Sequence, residues 1–258
     1  MTSLKGKKIL VTIQELENEE HRGIAFYTKS LISALNKAEA EIWLIVSMDF
    51  RKLKFKNYNE NFKNSTISTF ISDYLTKGVV KNPPLKIKSR RNKLVKKINY
   101  LKIFLFGKSY NPSNSAKVIF SNKRENPYLK LERTSYLRYV EGFYLAPNIY
   151  ENCLFSSLLP FNNKIKIDIG NFDAIISSAP LNLYPNRKSK NKIIIQTIHD
   201  LIPLEYEPKK LMVNSFSKML QCCLSSNNIF VSETSRKKFK YNMAPQSLNH
   251  KYLKNNFF

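Results

Sequence analysis

Two rhythms of apolar and polar positions run along this chain. Residues 7–13, KKILVTI, form an apolar run of strand length. A polar loop, QELENEEHRG, follows. Ile24, Tyr27, Leu31, Ala34 and Leu35 then recur at three- and four-residue spacing, which predicts a helix over 23–37. Residues 40–46, AEIWLIV, again read as a strand. Strand, loop, helix and strand in this order make a βαβ unit, with parallel strands and a right-handed crossover.

The middle is less regular. STISTFI (65–71) and AKVIFS (116–121) are predicted as strands. Residues 86–106 are predicted as a helix. Ile87, Leu94, Val95, Ile98, Leu101 and Leu105 would give it an apolar face, and its other face is basic. Pro83-Pro84 ends whatever comes before. Order returns with strands at 172–177, 192–198 and 228–232 and a helix at 209–226. This alternation predicts an α/β fold: Rossmann-like, with a mostly parallel open sheet and helices on both faces.

Composition narrows the class. With 258 residues, 43% of them hydrophobic, the chain can bury a sizeable core. No apolar run approaches the roughly 18 residues that span a bilayer. The opening MTSLKGKKILVTIQ has no signal-peptide core, so the expected location is cytoplasmic. Cys153, Cys222 and Cys223 lack zinc spacing and are expected to be reduced, buried thiols. No metal site is expected.

The net charge of +24 draws anionic partners. Lysine far outnumbers arginine, and Asn and Ile are plentiful. AT-rich codons therefore compete with function as the source of the charge. Its distribution says more. No acid lies between Asp73 and Glu125, an interval that holds Arg90, Arg91, Lys93, Lys96 and Lys97 among many other bases. A basic face on an amphipathic helix suits an anionic membrane surface. The bland alternative is a packed helix with solvated lysines. Nucleic acid would also favour the charge, but no recognition motif is present.

Three places carry candidate chemistry. His199-Asp200 ends the apolar run Ile193-Ile194-Ile195 and precedes Leu201-Ile202-Pro203. Strand carboxyl ends are where α/β sheets bind ligands. There an imidazole and a carboxylate could serve as acid, base or partner of a sugar hydroxyl. The plain alternative is a turn cap beside a packing histidine. Gly23, with Arg22 before it, opens a helix, where backbone N–H groups bind anions. Loop punctuation explains a single glycine equally well. Ser232 with Glu233 can cap the next helix, or Ser232 can touch a ligand.

In order and spacing these pieces resemble the N-terminal half of the family 4 glycosyltransferases, which have two Rossmann-like lobes (the GT-B fold). RGIAFYTKSLISAL (22–35) is similar to that family's glycine loop and first helix. IIIQTIHDLIPLEYEP is similar to its His-Asp segment, and IFVSETSRKKF to the serine-bearing strand end that follows. FDAIISSAPLNLYP fits the strand before. The resemblance covers roughly residues 6–240, loosely over 50–150.

It implies transfer of a sugar from a nucleotide-sugar to an acceptor, with retention of configuration. Gly23, and Arg22 beside it, would approach the donor. His199 would contact the transferring sugar, and Asp200 would orient that segment. Ser232 would sit at the cleft floor, with Glu233 counted beside it among the substrate-binding residues. The donor phosphate would take the acceptor's proton. No cofactor or metal is implied beyond the nucleotide-sugar substrate.

The chain departs from the family in one respect. No two glutamates stand eight positions apart, so the donor lobe's Glu-x7-Glu is missing. The expectation is an acceptor-side domain over 1–240 and the beginning of a linker over 241–258. Its partners would be a glycan or lipid-linked acceptor, a separate donor-binding subunit and an anionic membrane surface on the inner face. Transferase activity of this chain alone is expected to be slight. The alternative is a non-catalytic glycan- or protein-binding module of the same fold.

Overall fold

The computed structural model describes residues 3–17, 22–48, 59–77, 98, 100–110, 117–121, 123–159, 165–186, 192–201 and 210–247, without the side chains of 22, 210–215 and 244–247. In chain order the elements are β1 (Lys8–Thr12), α1 (Gln14–Glu17), α2 (Arg22–Lys37), β2 (Glu41–Val46), α3 (Glu60–Lys77), β3 (Lys108–Tyr110) and β4 (Lys117–Ile119). A run of 3₁₀ turns between Lys123 and Tyr139 leads to β5 (Val140–Leu145), α4 (Ile149–Leu158), β6 (Ile165–Ile167), β7 (Ala174–Ser177) and β8 (Leu183–Pro185). Then come β9 (Ile193–Ile198), α5 (Lys210–Cys223), β10 (Asn227–Phe230) and α6 (Glu233–Ser247). The class is α/β, with mostly parallel open sheets flanked by helices, as the alternation predicts.

The chain forms two compact units. The first comprises Met1–Lys88, Pro112–Asn148 and Asn171–Asp173. Its strands run in the order β1-β2-β5-β4. The first three are parallel, and β4 closes the edge antiparallel to β5. Leu10, Val11 and Ile13 of the first apolar run are fully buried. The helix over 22–37 forms; of the expected face Leu35 is buried, and Ala25, Thr28 and Ile32 complete the buried side in place of Ile24, Tyr27, Leu31 and Ala34. Thr28 is tolerated there because its hydroxyl donates to the Ile24 carbonyl at 2.9 Å. A pattern of apolar letters alone misses such a residue.

Residues 65–71 are helical, which corrects the strand expectation. They lie within α3, whose buried side is Asn64, Ile67, Ser68, Ile71, Ser72 and Leu75. That spacing is helical, but half of it is polar. Asn59 caps the start by accepting from Phe62 N–H at 2.8 Å. The hydroxyls of Thr66, Thr69, Ser72 and Thr76 each donate to the carbonyl four residues back. Self-satisfied hydroxyls let a β-branched, serine-rich segment stay helical.

The second unit comprises Ser89–Asn111, Ile149–Gly170 and Ala174–Phe258. Here β10, β9 and β7 lie side by side and parallel. They match the three expected strands. A second parallel sheet, β3-β6-β8, has strands of only three residues each, too short for a periodicity to show. Ile198, Leu201, Leu220, Leu224, Phe239 and Met243 form a core that includes Cys222 and Cys223. Those thiols and Cys153 are free and buried. Helix α6 runs to Ser247, across the position where the domain end was expected.

Of the predicted helix 86–106, position 98 and residues 100–106 are described, and they are helical. The Ile103 carbonyl accepts from Gly107 N–H at 2.9 Å, and Gly107 ends the helix at φ +68°, a conformation that favours glycine. The expected packing side is corrected: Ile98, Leu101 and Leu105 face solvent, while Ile103 is buried. Arg90, Arg91, Lys93, Lys96 and Lys97 lie outside the described residues. Among the described residues, no helix is long and apolar enough to cross a membrane.

Candidate functional site

The best-built candidate lies at the carboxyl ends of β7, β9 and β10. The run Ile193–Ile198 carries the chain to His199, which is half-buried, and to Asp200, which is exposed. Ring nitrogen Nε2 of His199 lies 2.7 Å from the carbonyl oxygen of Ser178, at the end of β7. A carbonyl only accepts, so Nε2 carries the proton. In the neutral ring Nδ1 is then the acceptor nitrogen. The Ser178 carbonyl thus sets the tautomer.

The backbone around this residue is held from the other side. The His199 carbonyl accepts from the Ser235 hydroxyl at 2.8 Å, and the Ile198 carbonyl accepts from Val231 N–H at 3.1 Å. Buried Gln196 fixes the neighbouring loop, accepting from Leu181 N–H at 2.8 Å and donating to the Leu181 carbonyl at 3.0 Å. Ser177 donates to the Ala179 carbonyl at 2.6 Å. Three strand ends thus position one imidazole through main-chain contacts.

Ser232 and Glu233 behave as the capping reading describes. The Ser232 hydroxyl accepts from Ser235 N–H at 3.0 Å, and the Ser232 carbonyl accepts from Arg236 N–H at 3.1 Å. Glu233 is gripped by Arg236 through two bonds of 2.7 and 2.6 Å. That bond, with the positive charge behind it, lowers the Glu233 carboxyl below its ordinary range. The structure therefore brings Ser232 and His199 together through Ser235, a member of the expected cap cluster whose bond to the His199 carbonyl the sequence did not reveal. Only its place three residues into the cap could have signalled it.

Protein-family models, curated proteins and solved structures give no match to this chain.

Gly23 belongs to the other unit, in the first turn of α2. It is exposed, and a Cβ built on it would have no described atom within 4 Å. Among the described residues, none packs so closely that a glycine is required there. The Arg22 side chain lies outside the described residues.

The same unit holds a group the sequence did not reveal. Glu17, in the turn after β1, is almost fully buried. One carboxylate oxygen accepts from Ser47 N–H at 2.7 Å, and the other accepts from the Ser47 hydroxyl. Ser47 directly follows β2, so the pair ties the carboxyl ends of two adjacent parallel strands. Burial pushes the Glu17 carboxyl up to about 7, against the pull of the Ser47 bonds, and Glu15 adds to the rise. Tyr74 on α3 is pushed above its ordinary value by burial and by Glu17. Glu17 closes the four-residue helix α1, an acidic stretch too short to show an apolar period. Among the described residues, no cluster of three or more His, Cys, Asp or Glu could hold a metal.

Proposed function

We propose that the chain supplies the acceptor-side lobe of a retaining glycosyltransferase that takes a nucleotide-sugar donor and a glycan or lipid-linked acceptor. The observation that carries this reading is the fixed imidazole at the carboxyl edge of β7-β9-β10. Open α/β sheets bind ligands at that edge. A sugar presents many hydroxyl donors. An imidazole and a carboxylate, as His199 and Asp200 bring to that edge, are the kinds of group that recognise sugar hydroxyls. The ring is held before the ligand arrives, so little ordering opposes binding.

In this reading the acceptor's proton goes to the departing diphosphate, and the protein supplies positioning rather than a nucleophile. A second lobe or subunit grips the donor. The exposed, unobstructed Gly23 turn is suited to close approach by a donor phosphate or sugar. The work takes place in the cytoplasm against the inner membrane face, where lipid-linked acceptors lie. A second reading, a non-catalytic glycan-binding module, draws support from Ser232 and Glu233. Both are engaged within α6, which concentrates recognition on His199 and Asp200.

Saturation-transfer NMR with a panel of oligosaccharides and sugar nucleotides tests this, using the full chain and His199→Ala. The expected result is carbohydrate contact that weakens roughly tenfold in the variant, as loss of a buried-edge hydrogen bond implies. Absence of any sugar contact, together with RNA binding that collapses steeply with salt, overturns it.

A further inference from the structure

We propose that the outward face of the helix over 100–106, extended by Ile98, inserts into the headgroup region of an anionic bilayer. This deepens the membrane-side part of the reading above and rests on it for location only.

The helix is anchored to its own unit by one side. Ile103 is 1% exposed. Tyr100 stacks on Phe155 with ring centroids 4.2 Å apart and donates its hydroxyl to Glu151 at 2.6 Å. The opposite side is apolar and bare. Leu101 is 57% exposed, Leu105 56% and Phe106 84%, with Ile98 at 46%. At about 100° per residue, these four side chains and Lys102 share one continuous arc of the helix surface, roughly 140° wide. Tyr100, Ile103 and Phe104 share the remainder. Monomeric proteins seldom leave so concentrated an apolar strip in water.

Charge says what covers it. The strip lies inside the acid-free interval between Asp73 and Glu125, which contributes bases only, and exposed Lys102 stands on the strip itself. An apolar protein partner needs no such field. A bilayer with acidic headgroups needs both, large side chains for the acyl boundary and cations for the surface. Lysine on the strip keeps its ammonium at headgroup level while its stem lies along the apolar boundary.

The test uses the full chain with vesicles of phosphatidylcholine alone or with about one-third phosphatidylglycerol. Leu105→Trp reports depth. With anionic vesicles its emission is expected to shift to the blue and to be quenched by lipids brominated on the acyl chains. The triple variant Leu101→Ser, Leu105→Ser and Phe106→Ser is expected to float with anionic vesicles about tenfold less, or weaker still. These positions are exposed, so their replacement leaves the core intact, which circular dichroism checks. Flotation without quenching means adsorption by charge alone and overturns insertion. Absence of flotation at low salt overturns the proposal outright, as does a concentration-dependent dimer that protects the introduced indole without lipid. His199→Ala leaves flotation unchanged, and the triple variant leaves sugar contact unchanged, so failure of one reading is distinguishable from failure of the other.

Discussion

Replacing Gly142 by alanine is expected to destabilise the first unit by about 3 kcal/mol or more, the upper range for forcing atoms into a packed interior. Gly142 lies in β5, between β2 and the edge strand β4. A Cβ there would stand 2.5 Å from Trp43 Cζ3, 2.7 Å from Trp43 Cε3 and 2.6 Å from the Val118 carbonyl oxygen. The indole has little room to yield, because it already meets the Phe172 ring edge-on at 5.6 Å. The Val118 oxygen is main chain, held where β4 pairs with β5. Urea denaturation checks this: the midpoint should fall sharply while the slope stays constant. Gly23→Ala is the control. With open space around it and a helical position, it should be neutral or slightly stabilising. Loss of ligand contact in that variant, at unchanged stability, would mark Gly23 as a binding glycine.

The second large effect is pH dependence through Glu17. Its carboxyl rises from an ordinary 4.5 to about 7 in the folded chain. The folded state therefore binds the proton more tightly than the unfolded state does. The contribution to stability is complete below about 4.5 and is lost as pH rises through about 7, with a magnitude on the order of 3 kcal/mol. Glu17→Gln keeps the shape and removes the charge, so its stability should stay nearly flat over that window. The Ser47 hydroxyl and N–H face the carboxylate from the end of β2, with Glu15 nearby and Tyr74 on α3. Denaturation at pH 5 and pH 8, for both chains, measures the difference. A wild-type chain that gains stability between those values would contradict the buried, uncharged carboxyl.

Much of the fold was legible because long apolar runs speak for themselves. Ile193–Ile198 and Lys8–Thr12 could hardly be anything but buried strands. Segment 65–71 was misread because its serines and threonines satisfy themselves along the helix, a contest decided by side-chain bonds that letters do not show. The outward apolar face at Leu101 and Leu105 was misread for a different reason. Periodicity reveals that a helix has a stripe, but not which side meets the core. Here buried Ile103, with half-buried Tyr100 stacked on Phe155, holds the inner side, and the aliphatic stripe is left outside. At the candidate site, His199 and Asp200 stood out because polar residues ended a greasy strand. The bonds of Ser178 and Ser235 to His199 did not, because one uses the Ser178 main-chain carbonyl, the other runs from the Ser235 hydroxyl to the His199 carbonyl, and they come from 21 and 36 residues away.

The most direct test of the central claim is imidazole nitrogen NMR during titration with sugar. The chain has three histidines, His21, His199 and His250, so assignment by single substitution is simple. The expected result is that His199, at a pH where the ring is neutral, carries its proton on Nε2 and that its ring nitrogen resonances, Nδ1 included, move as carbohydrate is added. A proton found on Nδ1, or an Nδ1 resonance that stays fixed up to millimolar sugar, would contradict a sugar-binding edge at this residue.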